Sequence, residues 1–284
     1  MCKLCDIQNS VELNPFSDEE LDGFIGDVWK GINTPSNLSK LMYSKTASKL
    51  SEGLRLGLDI SASGVAEADP KYRLAADLQK NIFRFSGAKT YQQTIQLNNL
   101  LKGEDGVTRT FGQFQKEAKG VLDKFNGFHL AAEYQRAVAG SQSAILWDKI
   151  QESKEYLPYL KYQTAGDQRV RPTHQALDNI VRKVDDIFWA SYNPPNGWNC
   201  RCTTIQLEEA VETDMSGFVK PKDVPDEFLM NTGQQRLIFS DKHPYYEVHP
   251  RDIGFATNNF NLPIPMEPTP ALVGPIKETP NANK

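Results

Sequence analysis

The sequence predicts an α+β fold: a mainly helical N-terminal part, a helical hairpin leading into a small antiparallel sheet, and an extended Pro-rich C-terminal tail. Three observations carry this. Apolar residues recur at helical spacing as far as residue 150. From 158 to 207 that period gives way to aromatic residues, prolines and the β-prone run Thr203-Thr204-Ile205. After Asn261, Pro263, Pro265, Pro268, Pro270, Pro275 and Pro280 exclude a helix or a central strand.

The first helix is expected to start at Ser17, which can cap, with Glu20 three residues on and acids in the first turn. Leu21, Phe24, Ile25, Val28 and Trp29 then follow i, i+3, i+4, i+7, i+8 spacing. Further helices are expected over 38–58 and 70–101, interrupted by Gly53, Gly57 and Gly64, and Phe83, Phe85 and Tyr91 are expected to pack inside the protein. Phe111, Phe114, Ala118, Val121, Leu122 and Phe125 mark one more apolar face. A run from Leu130 to Ile150 marks another, and the two are expected to pair as a hairpin across Asn126-Gly127. The small residues at 137–141 permit close helix approach. Pro194-Pro195-Asn196-Gly197 reads as a turn and 197–207 as a strand. The organisation expected is an N-terminal helical region over 1–109, a domain over 110–210 and an irregular extension over 211–284, its tail polyproline-like.

Composition narrows the function classes. The 284 residues carry 32 Lys+Arg against 36 Asp+Glu, a formal charge of −4, so a broad nucleic-acid-coating face is excluded and any DNA contact must be local. Four cysteines are too few for a disulfide scaffold. No apolar N-terminal segment resembles a signal peptide and no run approaches the ~20 apolar residues of a spanning helix, so the expectation is a soluble protein made in a reducing cytoplasm, with no membrane partner. There the thiols read as metal ligands or free thiols.

Chemistry-bearing residues gather within about forty positions: Asp167, Arg169, Arg171, His174 and Asp178, then Trp189, then Trp198, Cys200, Arg201 and Cys202. On a strand, Cys200 and Cys202 present both sulfurs to one face, suited to one Zn2+, with His174 a third ligand and Asp178 a candidate fourth. The plainer arrangement, which the sequence favours narrowly, packs both thiols against Trp189 and Trp198 and bonds His174 to Asp178. Cys2-x-x-Cys5 could meet Cys200 and Cys202 in a four-thiolate zinc site, but its place at the chain start, where fraying is common, argues against it. Between 161 and 202, six basic residues stand against four acidic ones. Arg169, Arg171 and Arg201 are therefore DNA-phosphate candidates, though an ion-pair network that orients the loops is the preferred reading. No G-x-S-x-G, H-E-x-x-H, Walker A or G-x-G-x-x-G motif is present, so no catalytic residue is assigned. A zinc-dependent, nuclease-like enzyme centred on His174, Cys200 and Cys202 is the alternative.

The ordered series Pro158-Tyr159-Leu160, Thr164-Ala165, Asp167, Arg169-Val170-Arg171-Pro172-Thr173-His174, Leu177-Asp178, Phe188-Trp189 and Pro194-Pro195-Asn196-Gly197-Trp198-Asn199-Cys200-Arg201-Cys202 resembles the signature of the phage Mu protein F-like, or SPP1-type, head morphogenesis family. The resemblance spans roughly 110–207. It implies a minor capsid protein of a tailed bacteriophage, located in the virion. Portal, capsid or scaffold proteins would be its partners, with DNA contact in some relatives. One departure stands out. The common pattern reads Leu-Asp-Gly where this chain has Leu177-Asp178-Asn179, and Asn tolerates the positive φ such a turn needs.

Overall fold

A computed structural model describes residues 13–259, apart from 62, 63, 65, 222 and 223. Cys2, Cys5 and the Pro-rich tail beyond 261 lie outside the described residues. Helix α1, Asp18–Trp29, begins with the expected reciprocal cap: the Glu20 amide donates to Ser17 Oγ (3.2 Å) and the Ser17 amide to Glu20 Oε2 (2.9 Å). It buries Leu21, Phe24, Ile25 and Val28. Helix α2, Lys40–Leu58, ends on Asp59 in the left-handed region (φ 54°). Helix α3, Lys71–Asn99, places Phe83, Phe85 and Tyr91 inside the protein. Helix α4, Phe111–Asp123, opens with a second reciprocal cap from Thr110 and Gln113.

Asn126-Gly127 does not turn the chain. Helix α4 continues through a π-helical segment, Lys124–His129, into helix α5, Leu130–Ser153, and the junction residues Lys124 and His129 keep right-handed helical angles. Buried polar anchors account for this. Gln93 Nε2 donates to Asn126 Oδ1 (2.7 Å) and Lys89 Nζ to the Phe125 carbonyl (2.7 Å), so α3 holds the segment helical where a solvent-facing Asn-Gly would turn. The partner of α5 is α2, which meets it through Gly53 and Gly57.

The sheet has strand order β2-β1-β3, antiparallel throughout, with β1 Tyr159–Gln163, β2 Val181–Lys183 and β3 Thr203–Leu207. The expected strand over 197–207 is therefore confined to its second half. Asn199 at φ 55° bends the chain ahead of it, so Cys200 and Cys202 lie in the loop leading into β3. Two short helices, α6 Pro172–Gln175 and α7 Phe188–Tyr192, occupy the crossovers.

Among the described residues, those of the segments 1–109, 110–210 and 211–284 share interiors. Leu54, Leu78, Phe85, Val138, Ile238 and Phe239 fall in one core, and packing of α1 on α4 brings Phe24 and Ile25 together with Phe114 and Leu122 in another. Phe85 stacks on Phe239 with ring centres 3.7 Å apart. Asn81 clamps the same turn, accepting from the amides of Ile238 (2.9 Å) and Phe239 (2.8 Å) and donating to the Phe239 carbonyl (2.9 Å). Helix α8, Thr232–Gln235, rests on α5, and α9, Ile253–Asn259, closes the described chain. Among the described residues no helix is long and apolar enough to cross a membrane.

Candidate metal centre and arginine-lined cleft

Three of the residues singled out in the sequence meet. Cys200 Sγ and Cys202 Sγ each lie 3.6 Å from His174 Nδ1, and the three donor atoms all fall within 4.8 Å of one another. The local chain explains the convergence. Pro172 sits in the first turn of α6, Arg171 precedes it in extended conformation, and His174 points inward and is buried. The loop 194–202 then folds over the ring. Gly197 comes so close that a Cβ there would stand 3.4 Å from His174 Nε2 and 3.3 Å from Arg171 Nη1.

The ring is also oriented. His174 Nε2 lies 3.2 Å from the Asn196 carbonyl, an acceptor only, so Nε2 carries the proton and the Nδ1 lone pair faces the sulfurs. Asn196 is itself pinned. Its Oδ1 accepts from Tyr162 OH (3.1 Å), and its Nδ2 reaches the carbonyls of Ser191, Asn193 and Phe228 at 3.3–3.4 Å. Both cysteines are free thiols. Their hydrogen bond to each other sets them apart: it draws the Cys200 thiol well below its ordinary pKa, helped by His174, and pushes the Cys202 thiol up, helped by burial.

Asp178 does not join this group. The helix carrying His174 ends at Gln175, so the i, i+4 relation fails, and Asp178 Oδ1 instead accepts from the Thr164 amide (2.7 Å). The expected His174–Asp178 bond is replaced by the one to Asn196. Asn179 adopts φ 63°, the positive value its place in the signature requires. Cys202 packs against the cluster holding Trp189, whose indole donates to the Lys183 carbonyl (2.9 Å). Trp198 turns away to meet Phe228 and His243 edge-on.

The arginines divide. Arg201 grips Asp167 with both Nη atoms (2.6 and 2.7 Å), which lowers the Asp167 pKa to about 2. Arg182 pairs with Asp186 and Glu212. Arg171 Nη2 donates to the Trp198 carbonyl (2.5 Å), while the Arg169 side chain is 70% exposed and 3.7 Å from Asp167. Arg169, Arg171, Arg201 and Cys200 line a cavity of about 340 Å3 together with Arg136. Sequence reasoning missed Arg136. It is buried, donates to the carbonyls of Ile238 (3.0 Å) and Pro195 (2.6 Å), and lies over the Phe228 ring. Its pKa is down to about 10, chiefly from burial. The signal available was an arginine inside an alanine-rich helical run. Tyr162 and Asn196 gave no comparable signal, because their role lies in contacts made across the fold.

The sequence model described as "Phage Mu protein F like protein" matches residues 76–205, starting earlier than the signature itself suggests. The chain is 38% identical over 81 residues to protein F of Escherichia phage Mu, named for capsid assembly. It is also 38% identical over 58 residues to the Mu-like prophage FluMu F protein of Haemophilus influenzae. These alignments take in 28% and 20% of this chain and 18% and 14% of the two relatives, so the chain spans under a fifth of their lengths. No solved structure matches. The signature from Pro158 to Cys202, folded around His174, lies inside the matched span, and over residues 76–205 this chain is similar to the phage Mu protein F-like family.

Proposed function

We propose that this chain acts in head morphogenesis of a tailed bacteriophage, as a minor capsid protein that docks on the portal vertex and the capsid interior during assembly. The observation that carries the reading is the match over 76–205, within which the Pro158–Cys202 signature forms one packed platform on α5. The formal charge of −4 supports it: a protein working against other proteins inside a DNA-filled shell gains from not being held on the genome. The test is mass spectrometry of purified procapsids and virions of the parent phage, with cross-linking to identify neighbours. The expected result is this polypeptide in both particles, cross-linked to portal or capsid subunits. Its absence from both would sink the proposal.

DNA contact is the finer part of the reading. Arg169 and Arg171 offer exposed donors beside the cleft, whereas the Arg201 fork is occupied by Asp167. Duplex binding measured across a salt series is expected to weaken in Arg169→Ala/Arg171→Ala, with a salt slope shallower by about two. Binding with an unchanged slope counts against it. The zinc-nuclease alternative lacks support at the cleft, whose lining holds arginines, Gln135 and Asn199 but, among the described residues, no carboxylate to serve as general base.

A further inference from the structure

We propose that His174 Nδ1, Cys200 Sγ and Cys202 Sγ form a Zn2+ site, independently of the head-assembly reading. Geometry is the first ground. Zn–N of about 2.0–2.1 Å and Zn–S of about 2.3 Å at a tetrahedral angle place nitrogen and sulfur about 3.6 Å apart. Both sulfurs stand at 3.6 Å from Nδ1. A thiol hydrogen bond accounts for only one of these contacts, since Nδ1 has a single lone pair in the ring plane. Two sulfurs at equal distance from one nitrogen, with all three donor atoms within 4.8 Å of one another, fit three corners of a tetrahedron around a common centre.

The surroundings are the second ground. A ligating imidazole ordinarily donates its other N–H to a carbonyl or carboxylate, which fixes the ring and its tautomer. Here the Asn196 carbonyl fills that place, held by the contacts of its own side chain to Tyr162, Ser191, Asn193 and Phe228. The donor set of two thiolates and one imidazole is borderline soft, which suits Zn2+ over Mg2+ or Ca2+. Two thiolates and a neutral imidazole also cancel the ion's charge, a useful property next to the buried Arg136 guanidinium. Cys200 and Cys202 both line a second cavity of about 220 Å3, which leaves the fourth corner to water or to a donor arriving from outside. With Asp178 turned to Thr164, this chain's candidate fourth ligand is withdrawn.

The experiment uses the full-length chain with Cys2→Ser/Cys5→Ser, in which the only thiols left are Cys200 and Cys202. Purified without chelator, it is expected to hold about one zinc per chain by elemental analysis. Cobalt exchange is expected to give a sulfur-to-cobalt charge-transfer band and the intense visible bands of a tetrahedral ion. Zinc removal should speed the reaction of both thiols with a disulfide reagent, and zinc re-addition should slow it again. His174→Ala in the same background is expected to lose the metal. Three outcomes would overturn the proposal: no metal bound with no tetrahedral cobalt spectrum, metal retained in Cys200→Ser/Cys202→Ser, or thiol reactivity indifferent to zinc. The native-state cobalt and thiol measurements decide the matter even if the His174 variant does not fold.

Discussion

Replacing Gly57 by alanine sets two effects of known size against each other. In a helix interior alanine is favoured over glycine by about 0.8–1.0 kcal/mol, so an unhindered Gly→Ala change stabilises. At Gly57 the new Cβ would stand 2.6 Å from Ser141 Cβ and closer still to the Val138 carbonyl oxygen, where ordinary contacts begin near 3.4 Å. Helix α5 must then retreat from α2 by most of an ångström, and overpacking of this kind costs typically about 1–3 kcal/mol. The carbonyl belongs to the backbone and has no rotamer to change, so the clash wins. Gly57→Ala is expected to destabilise by up to about 2 kcal/mol net. Gly23, exposed in α1 with open space for 4 Å around the position a Cβ would take, is the control, and Gly23→Ala is expected to stabilise by roughly 0.5–1 kcal/mol. Urea denaturation followed by circular dichroism reads both as midpoint shifts at constant slope. Equal shifts, or a more stable Gly57→Ala, would refute the close-approach argument. The consequence reaches the site, because α5 carries Arg136 and Ser143, whose side chains hold the carbonyls of Pro195 and Pro194.

Other outcomes follow from buried groups. Lys89 and Glu133 form an ion pair (2.5 Å) at 0% and 2% exposure, so Lys89→Met is expected to cost about 3–5 kcal/mol while Lys89→Met/Glu133→Leu recovers most of it. A double variant no better than the single one would contradict this. His243 is held down to about pKa 4, mainly by burial among the rings of Phe85, Trp198 and Tyr245. Between pH 6.5 and 4 the unfolded chain takes up a proton that the folded chain refuses, so stability falls on acidification across that window, by up to about 3 kcal/mol. His243→Asn, which can still accept the Tyr245 amide, should flatten the slope of unfolding midpoint against pH; an unchanged slope would assign it elsewhere. Gly233→Ala would drive a Cβ to within 2.6 Å of Trp147 Cγ, and a lower thermal midpoint is expected.

What the sequence made legible was local. The cap at Ser17 and the apolar stripes of α1, α4 and α5 each depend on residues three or four apart, and the structure carries them nearly as read. The pairing of Cys200 with Cys202 was legible too, though on the wrong ground. A strand face was expected, whereas the loop bends at Asn199 and both sulfurs reach His174 from irregular backbone. What stayed hidden were contacts between distant residues. Asn126-Gly127 has the composition of a turn, and only the packing of Lys89 and Gln93 from α3 makes it helix. His174 and Asp178 have helical spacing, yet a four-residue helix cannot carry it and the Thr164 amide takes the carboxylate.

The same long-range contacts give a physical reason for a family match that begins at residue 76 inside α3, well before the dense motif. Asn81 clamps the turn at Ile238 and Phe239, and the Ile238 carbonyl in turn accepts from Arg136, whose guanidinium also holds Pro195 above the site. Lys89 and Gln93 hold the π-helical segment from which α5 starts. Helix α3 is thus three hydrogen bonds away from the loop that covers His174. A signature read as a string stops where its rare residues thin out; the unit that positions Cys200 and Cys202 extends back to the helix that fixes their platform.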